Sequence, residues 1–337
     1  MTSSTPSWIV ALLTCWLAGC TGPSGQKLSD GLERCRIEAE QGRAAAQCRL
    51  GNRYAHGEGV SKDAAQAVAW YRKAAEQGHA EAQYRLGQSY YDGKGLPKDH
   101  VQAASWCRKA AEQGHVEAQF DLGCLYYSGA GVAQDFEQAA SWYRKAAEQG
   151  FADAQCALGG CYLSGNGVEQ DLALGVAWYR KAAEQGETLG QFTLGIALRD
   201  GHGQKPDRAE AIRWLGLAAA KGQTEAEFAL AMLLLESATG TEAAKGAGWL
   251  RQAAEQGFAP AQFQLGEILL SGVGVKPDAQ EAYQWLLIAT ANPQGLSREQ
   301  RNATTSRLNA VAGRLTAAQR VAAQQAATLF SPAAPSR

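Results

Sequence analysis

The chain lacks a surplus of either charge: 32 Lys and Arg stand against 33 Asp and Glu over 337 residues, a formal net charge of −1. That balance excludes a nucleic-acid binder driven by bulk positive charge. The short signatures of enzymes are missing too. No G-x-S-x-G elbow, Walker loop or H-E-x-x-H is present, and no C-x2-C pair or histidine cluster offers zinc ligands. His56, His79, His100, His115 and His202 are scattered, and His79 and His115 fall at one repeat position, where equivalent residues do not assemble a catalytic centre. The expectation is therefore no catalytic residue, no metal and no cofactor. A membrane-spanning run is also lacking: the apolar stretch over 8–17 is about ten residues long, against the roughly 20 a spanning helix needs.

That stretch reads as the hydrophobic part of an export signal, although no Lys or Arg precedes it. It closes on Leu17-Ala18-Gly19-Cys20, which resembles the lipobox of bacterial lipoproteins. The resemblance implies a signal peptide over 1–19 and Cys20 as the lipid-bearing first residue of the mature chain. The Gly/Pro/Ser run behind it predicts a flexible tether over 20–28. Residue 21 is Thr, whereas Asp there resembles an inner-membrane retention signal. The expected address is the outer membrane, facing the periplasm.

Tryptophan marks a period. Beyond the signal segment it occurs at Trp70, Trp106, Trp142, Trp178, Trp214, Trp249 and Trp285, at steps of 36, 36, 36, 36, 35 and 36 residues. Leu-Gly pairs and Gln-Gly pairs keep the same step, and a period of this size held through most of a chain means a stack of helical units. Ala67, Trp70, Tyr71, Ala74 and Ala75 follow helical spacing, with Arg72, Lys73, Glu76 and Gln77 on the other side. They mark the second helix of each unit; Ala82, Leu86, Gly87 and Tyr90 mark the first. A helix-interior Gly costs about 1 kcal/mol against Ala, so its recurrence predicts close approach of a neighbouring backbone. Asp63, Asp99, Asp135, Asp171, Asp207 and Asp278 stand seven residues before a Trp, at helix N-caps. The Gly-x-Gly turns, Gly57/Gly59 and their repeats, end the first helices; with no strand before them they make poor phosphate loops.

L-G-x-x-Y, G-x-G-V, D-x-x-x-A and A-x-W-Y-R-K-A-A-E-Q-G together resemble the SEL-1-like repeat, a tetratricopeptide-like helix pair. The resemblance implies an all-α fold: an αα-hairpin solenoid, a right-handed superhelix of seven repeats over 43–293, divided at 43–78, 79–114, 115–150, 151–186, 187–222, 223–257 and 258–293. The sixth departs most, with Leu230-Ala231 in place of Leu-Gly and no Gly-x-Gly turn, which predicts a local irregularity. Stacks need caps over their terminal apolar faces. A lone helix over 29–42 and two helices over 297–330, opened by Ser297 and Thr316, fit that role, and 331–337 reads as a disordered tail.

Six cysteines remain beyond Cys15 and Cys20. Aligning the units places Cys35 across one hairpin from Cys48, and Cys107 near Cys124, so these pairs are the bridge candidates if the exported context oxidises them; small core hydrophobes are the alternative. Cysteine-rich members of the family with bridged helices favour the first. The Arg-Lys pairs from Arg72-Lys73 onward, each Arg four residues before a Glu, read as a solvated, salt-bridged face; a stripe for an acidic polymer is the sharper alternative. Tyr84, Phe120, Phe192, Phe228 and Phe263 form an aromatic ladder, read as inter-helix core or, if open, a groove for a peptide or glycan. Specificity is expected in first-helix residues that vary between units: Arg85, Gln88, Asp121, Thr193 and Glu267. The expectation is a lipid-anchored scaffold that binds another protein of an envelope complex, with no nucleic acid and no small-molecule substrate. A secreted or surface protein engaging host proteins is the alternative, and a cell-wall-fragment or β-lactam hydrolase a remote third.

Overall fold

The computed structural model describes residues 23–236 and 240–332; the expected signal peptide, Cys20 and residues 333–337 lie outside the described residues. Among the described residues there are seventeen α-helices, one short 3-10 turn and no strand. Helix α1 spans Pro23–Glu40. Seven helix pairs follow: α2 (Ala44–His56) with α3 (Ala64–Glu76), α4 (Ala80–Asp92) with α5 (His100–Glu112), α6 (Val116–Ser128) with α7 (Phe136–Glu148), and α8 (Ala152–Ser164) with α9 (Leu172–Glu184). Next come α10 (Thr188–Asp200) with α11 (Arg208–Ala220), α12 (Thr224–Glu236) with α13 (Gly240–Glu255), and α14 (Ala259–Ser271) with α15 (Ala279–Ala291). Helices α16 (Arg298–Ala312) and α17 (Ala317–Leu329) close the chain. The helices group into an N-terminal body, Met1–Ala146, and a C-terminal body, Ala147–Arg337.

Local chemistry sets the helix ends. Asp99 accepts from the backbone N–H groups of Val101 and Gln102 at 2.9 and 3.0 Å, and Asp63, Asp135, Asp171, Asp207 and Asp278 cap their helices the same way. Ser297 with Gln300 and Thr316 with Gln319 form complete capping boxes at α16 and α17. The expected close approach at the Leu-Gly pair is present. A Cβ on Gly87 would meet the carbonyl oxygen of Ala103 at 3.2 Å and the amide nitrogen of Cys107 at 3.3 Å, both on the partner helix. In the sixth repeat the small residue changes helix: Ala231 takes the glycine slot, and Gly246 on α13 lies against the Ala231 carbonyl. Helix α13 runs 16 residues where the other repeat helices run 13, so the expected irregularity is a longer second helix.

Each body is cored by leucine and alanine. Leu50, Leu86 and Leu122 are fully buried in the first; Leu194, Leu215, Leu250, Leu265 and Leu286 are fully buried in the second. Three residues before Leu50, Leu86 and Leu122 stands a glutamine whose contact sequence spacing had not singled out. Buried Gln47, Gln83 and Gln119 donate Nε2 to the carbonyl eight residues earlier, at 3.0 to 3.1 Å, and so tie each first helix to the preceding helix end. Their oxygens are met from the Gln of the next Gln-Gly: Gln77 donates to Gln47 at 2.7 Å and Gln113 to Gln83 at 2.6 Å.

Three expectations are corrected. Pro23 through Leu28, read as tether, is helical backbone at the start of α1, whose proline stands where a missing N–H costs nothing. In the Arg-Lys face, Arg72 and Arg108 reach across repeats rather than to the Glu one turn on. Arg72 and Arg108 donate to the hydroxyls of Tyr90 and Tyr126 in the following repeat, Arg180 pairs with Glu210 in the next, and Lys73, Lys109, Lys145 and Lys181 stack over the indoles of Trp70, Trp106, Trp142 and Trp178 at 3.6 to 4.0 Å. No disulfide links the six described cysteines. The Cys35 thiol instead donates to the Ala46 carbonyl at 3.6 Å and Cys107 to that of Ala118 at 3.1 Å, while burial pushes the Cys48 thiol up to about 11 and Cys156 to about 12. Buried thiols such as Cys48, Cys107 and Cys156 fit the alternative of small core hydrophobes.

Candidate binding site on the first helices of the second and third repeats

Helices α4 and α6 lie side by side as the first helices of successive repeats, and α5 packs behind them. Between them opens a cavity of about 380 Å³. Its floor is buried Tyr84 and Cys107, its wall carries Gln88, Asp121 and Cys124, and its rim holds exposed Tyr91 and Lys94. Of the five residues expected to carry specificity, Gln88 and Asp121 line this cavity and Arg85 stands beside it.

They are joined by a chain of hydrogen bonds. Arg85 donates Nη1 to Gln88 Oε1 at 3.2 Å, and Gln88 donates Nε2 to the Tyr84 hydroxyl at 2.7 Å. Tyr84 in turn donates its hydroxyl to the Asp121 carboxylate. Each donor in this relay strengthens the next by polarisation, and the relay ends on an anion. On the other side of Arg85, its Nε reaches Glu81 Oε1 at 2.6 Å. His115, the N-cap of α6, accepts the Ala118 N–H on Nδ1 at 3.3 Å, so Nε2 carries the hydrogen and donates to Glu81 Oε2 at 2.8 Å. The His115 ring packs 4.7 Å from that of Tyr84.

The two acids differ. Burial pushes Glu81 up, but hydrogen bonds from His115 and Arg85 outweigh it and hold the carboxyl below its ordinary value. Burial raises Asp121 above the ordinary aspartate value; the Tyr84 bond opposes this, and the Glu117 charge adds to it. Burial also raises the Tyr84 hydroxyl, so it remains a donor. The arrangement is suited to hold a polar or cationic group.

Thr193 and Glu267 are not part of this site. Both lie in the C-terminal body, Thr193 half-buried on α10 and Glu267 on α14, where Arg307 of α16 pairs with it at 3.0 Å. The sequence reading missed Glu81 and the N-capping role of His115. The recurrence of His79 and His115 just after Gln-Gly was the available signal, because that position precedes a helix. The aromatic ladder splits: Tyr84 is buried, while Phe120, Phe192, Phe228 and Phe263 are half-buried between helices.

The Sel1 repeat model matches residues 44–79, 80–115, 116–151, 152–187, 188–223, 224–258 and 259–292. The chain belongs to the Sel1 repeat family. Several solved structures resemble this Sel1 chain, among them two at 30% identity or more. A Sel1 repeat protein of Oxalobacter formigenes is 35% identical, with a TM-score of 0.61 over 68% of this chain and 97% of its own. A protective antigen of uropathogenic Escherichia coli displaying an SLR fold is 30% identical, with a TM-score of 0.52 over 89% of this chain and 78% of its own. No curated protein matches. Sel1 repeats form an all-α repeat fold that mediates protein–protein interaction, and the present chain shares that fold.

Proposed function

We propose that this chain is a lipid-anchored periplasmic adaptor that binds a partner protein of an envelope complex through its first helices. One observation carries the reading: the varied residues Gln88 and Asp121 line an open cavity in a Sel1 array, and the varied Arg85 is hydrogen-bonded to Gln88 beside it. Leu17-Ala18-Gly19-Cys20 supports the anchor, and Thr21 the outer membrane. Crosslinking capture from membranes of cells carrying the tagged wild type, compared with Cys20→Ala, tests both halves. The expected result is a defined envelope complex with the wild type, lost or moved to the soluble fraction with Cys20→Ala. Recovery of no specific protein overturns the adaptor, and an unlipidated soluble wild type overturns the anchor.

One observation favours a second reading. The Escherichia coli structure is that of a protective antigen, which fits a repeat protein displayed at the cell surface and engaging host proteins. Protease treatment of intact cells separates the readings: a periplasm-facing protein survives, and a displayed one is cut.

A further inference from the structure

The cavity between α4 and α6 has one unanswered charge. Glu81 is met by Arg85 and His115, and Asp92 pairs with Lys94 at 2.6 Å. Asp121 is different. It receives the Tyr84 hydroxyl, and it has no ion-pair partner among the described residues. Its charged neighbours are mainly acids, since Glu117 and Asp92 both act on it unfavourably and only His115 eases it. An anion so placed draws a cation.

The repeat shows that this acid is particular to the site. The same position in the seven repeats holds Arg49, Arg85, Asp121, Ala157, Thr193, Ala229 and Gln264. Six repeats therefore fold without an acid there, and nothing in the helix pair requires one. Around Asp121 the cavity is lined by buried Tyr84, Cys107 and Leu125 and by exposed Tyr91 and Lys94. A lysine side chain, an apolar stem ending in an ammonium, matches a lining of aromatic, leucine and thiol surface around one carboxylate.

We infer that Asp121 receives the side-chain ammonium of a lysine presented by the partner protein, with Tyr84, Leu125 and Cys107 around its methylene stem. The inference rests on the reading of the first helices as the partner surface and adds the chemistry of the group they take. A free amino terminus is the other source of a primary ammonium, and the experiment separates the two.

The full mature chain, labelled with 13C at leucine methyls, is titrated with Ac-Ala-Lys-Ala-NH2, its norleucine analogue and H-Ala-Ala-Ala-NH2, with Leu125 at the cavity as the reporter. The lysine peptide should shift the Leu125 signals saturably, and the other two should bind about tenfold more weakly or not at all, a difference of one lost ion pair. Asp121→Asn should weaken the lysine peptide by about tenfold while leaving the other leucine methyl signals in place. Affinity should also fall as the pH is lowered and Asp121 protonates, a readout that needs no variant. Equal binding of lysine and norleucine, or no Leu125 shift at all, overturns the inference. A stronger response to H-Ala-Ala-Ala-NH2 overturns it in favour of an amino terminus. Capture of a partner from membranes by Asp121→Asn at wild-type yield would leave the adaptor standing and remove the lysine site alone.

Discussion

Glu227 occupies a slot that glutamine fills in the other six repeats, at Gln47, Gln83, Gln119, Gln155, Gln191 and Gln262. It is fully buried and accepts from Gln252 at 2.7 Å and Gln256 at 2.9 Å, but as a carboxylate it has no N–H for the carbonyl of Ala219, eight residues back. Burial raises its carboxyl above the ordinary glutamate value, against the pull of those two amides. A group raised on folding favours the folded state while protonated and loses that contribution as the pH rises through its folded value. Glu227→Gln restores the donor and removes the ionisation. It should stabilise the protein by about 1 kcal/mol at neutral pH, with a gain that shrinks toward the ordinary glutamate range; urea unfolding at acid and neutral pH measures both. A gain independent of pH would show that Glu227 is not the titrating group. A related defect lies at Gln191, whose buried Oε1 has no donor because Lys221 replaces the glutamine of Gln-Gly and turns to the Gly186 carbonyl. Lys221→Gln should supply that donor and raise the urea midpoint by an amount equivalent to about 1 kcal/mol.

At the scale of the element, the glycines sort into two kinds by what stands opposite them. Gly87 faces backbone atoms of α5 at 3.2 and 3.3 Å, whereas Gly248 in α13 has nothing within 4 Å of where a Cβ would sit. Gly87→Ala should destabilise by about 1 to 3 kcal/mol in forcing the helices apart, more than the gain in helix propensity returns. Gly248→Ala should stabilise by about 0.5 to 1 kcal/mol, because propensity alone acts there. Denaturant midpoints of the two variants should therefore move in opposite directions. The same contrast explains what was legible in advance. The aspartate caps, the Leu-Gly approach and the helix pairs depend on residues within one repeat, and spacing reports them directly. The Gln77–Gln47 and Arg72–Tyr90 bonds join residues 30 and 18 apart, and the period gives no angle from which to choose such partners. At the cavity, variation between repeats pointed to Arg85, Gln88 and Asp121, yet it pointed equally to Glu267, because nothing in the spacing shows that Arg307 would reach across from a capping helix.

For the whole chain, the end of the array sets a condition that no single repeat meets. A stacked helix pair buries one face on its predecessor and offers the other to its successor. After α15 there is no further repeat, and α16 and α17 take that place: Tyr283 and Leu286 are buried with Val311, Leu315 and Ala323, and Phe330 meets the Trp285 ring edge-on at 5.5 Å. Ending the chain after Asn292 would return this apolar surface to water and leave Glu267 without Arg307. The loss should amount to several kcal/mol, so the melting temperature should fall by about 5 °C or more. The newly bared face, a large contiguous apolar patch, should also drive self-association. Thermal unfolding of the full and shortened chains, with size-exclusion chromatography of each, reads both effects. A shortened chain that melts at the same temperature and stays monodisperse would mean that α15 is sufficient to end the array and that its two closing helices serve something other than the fold.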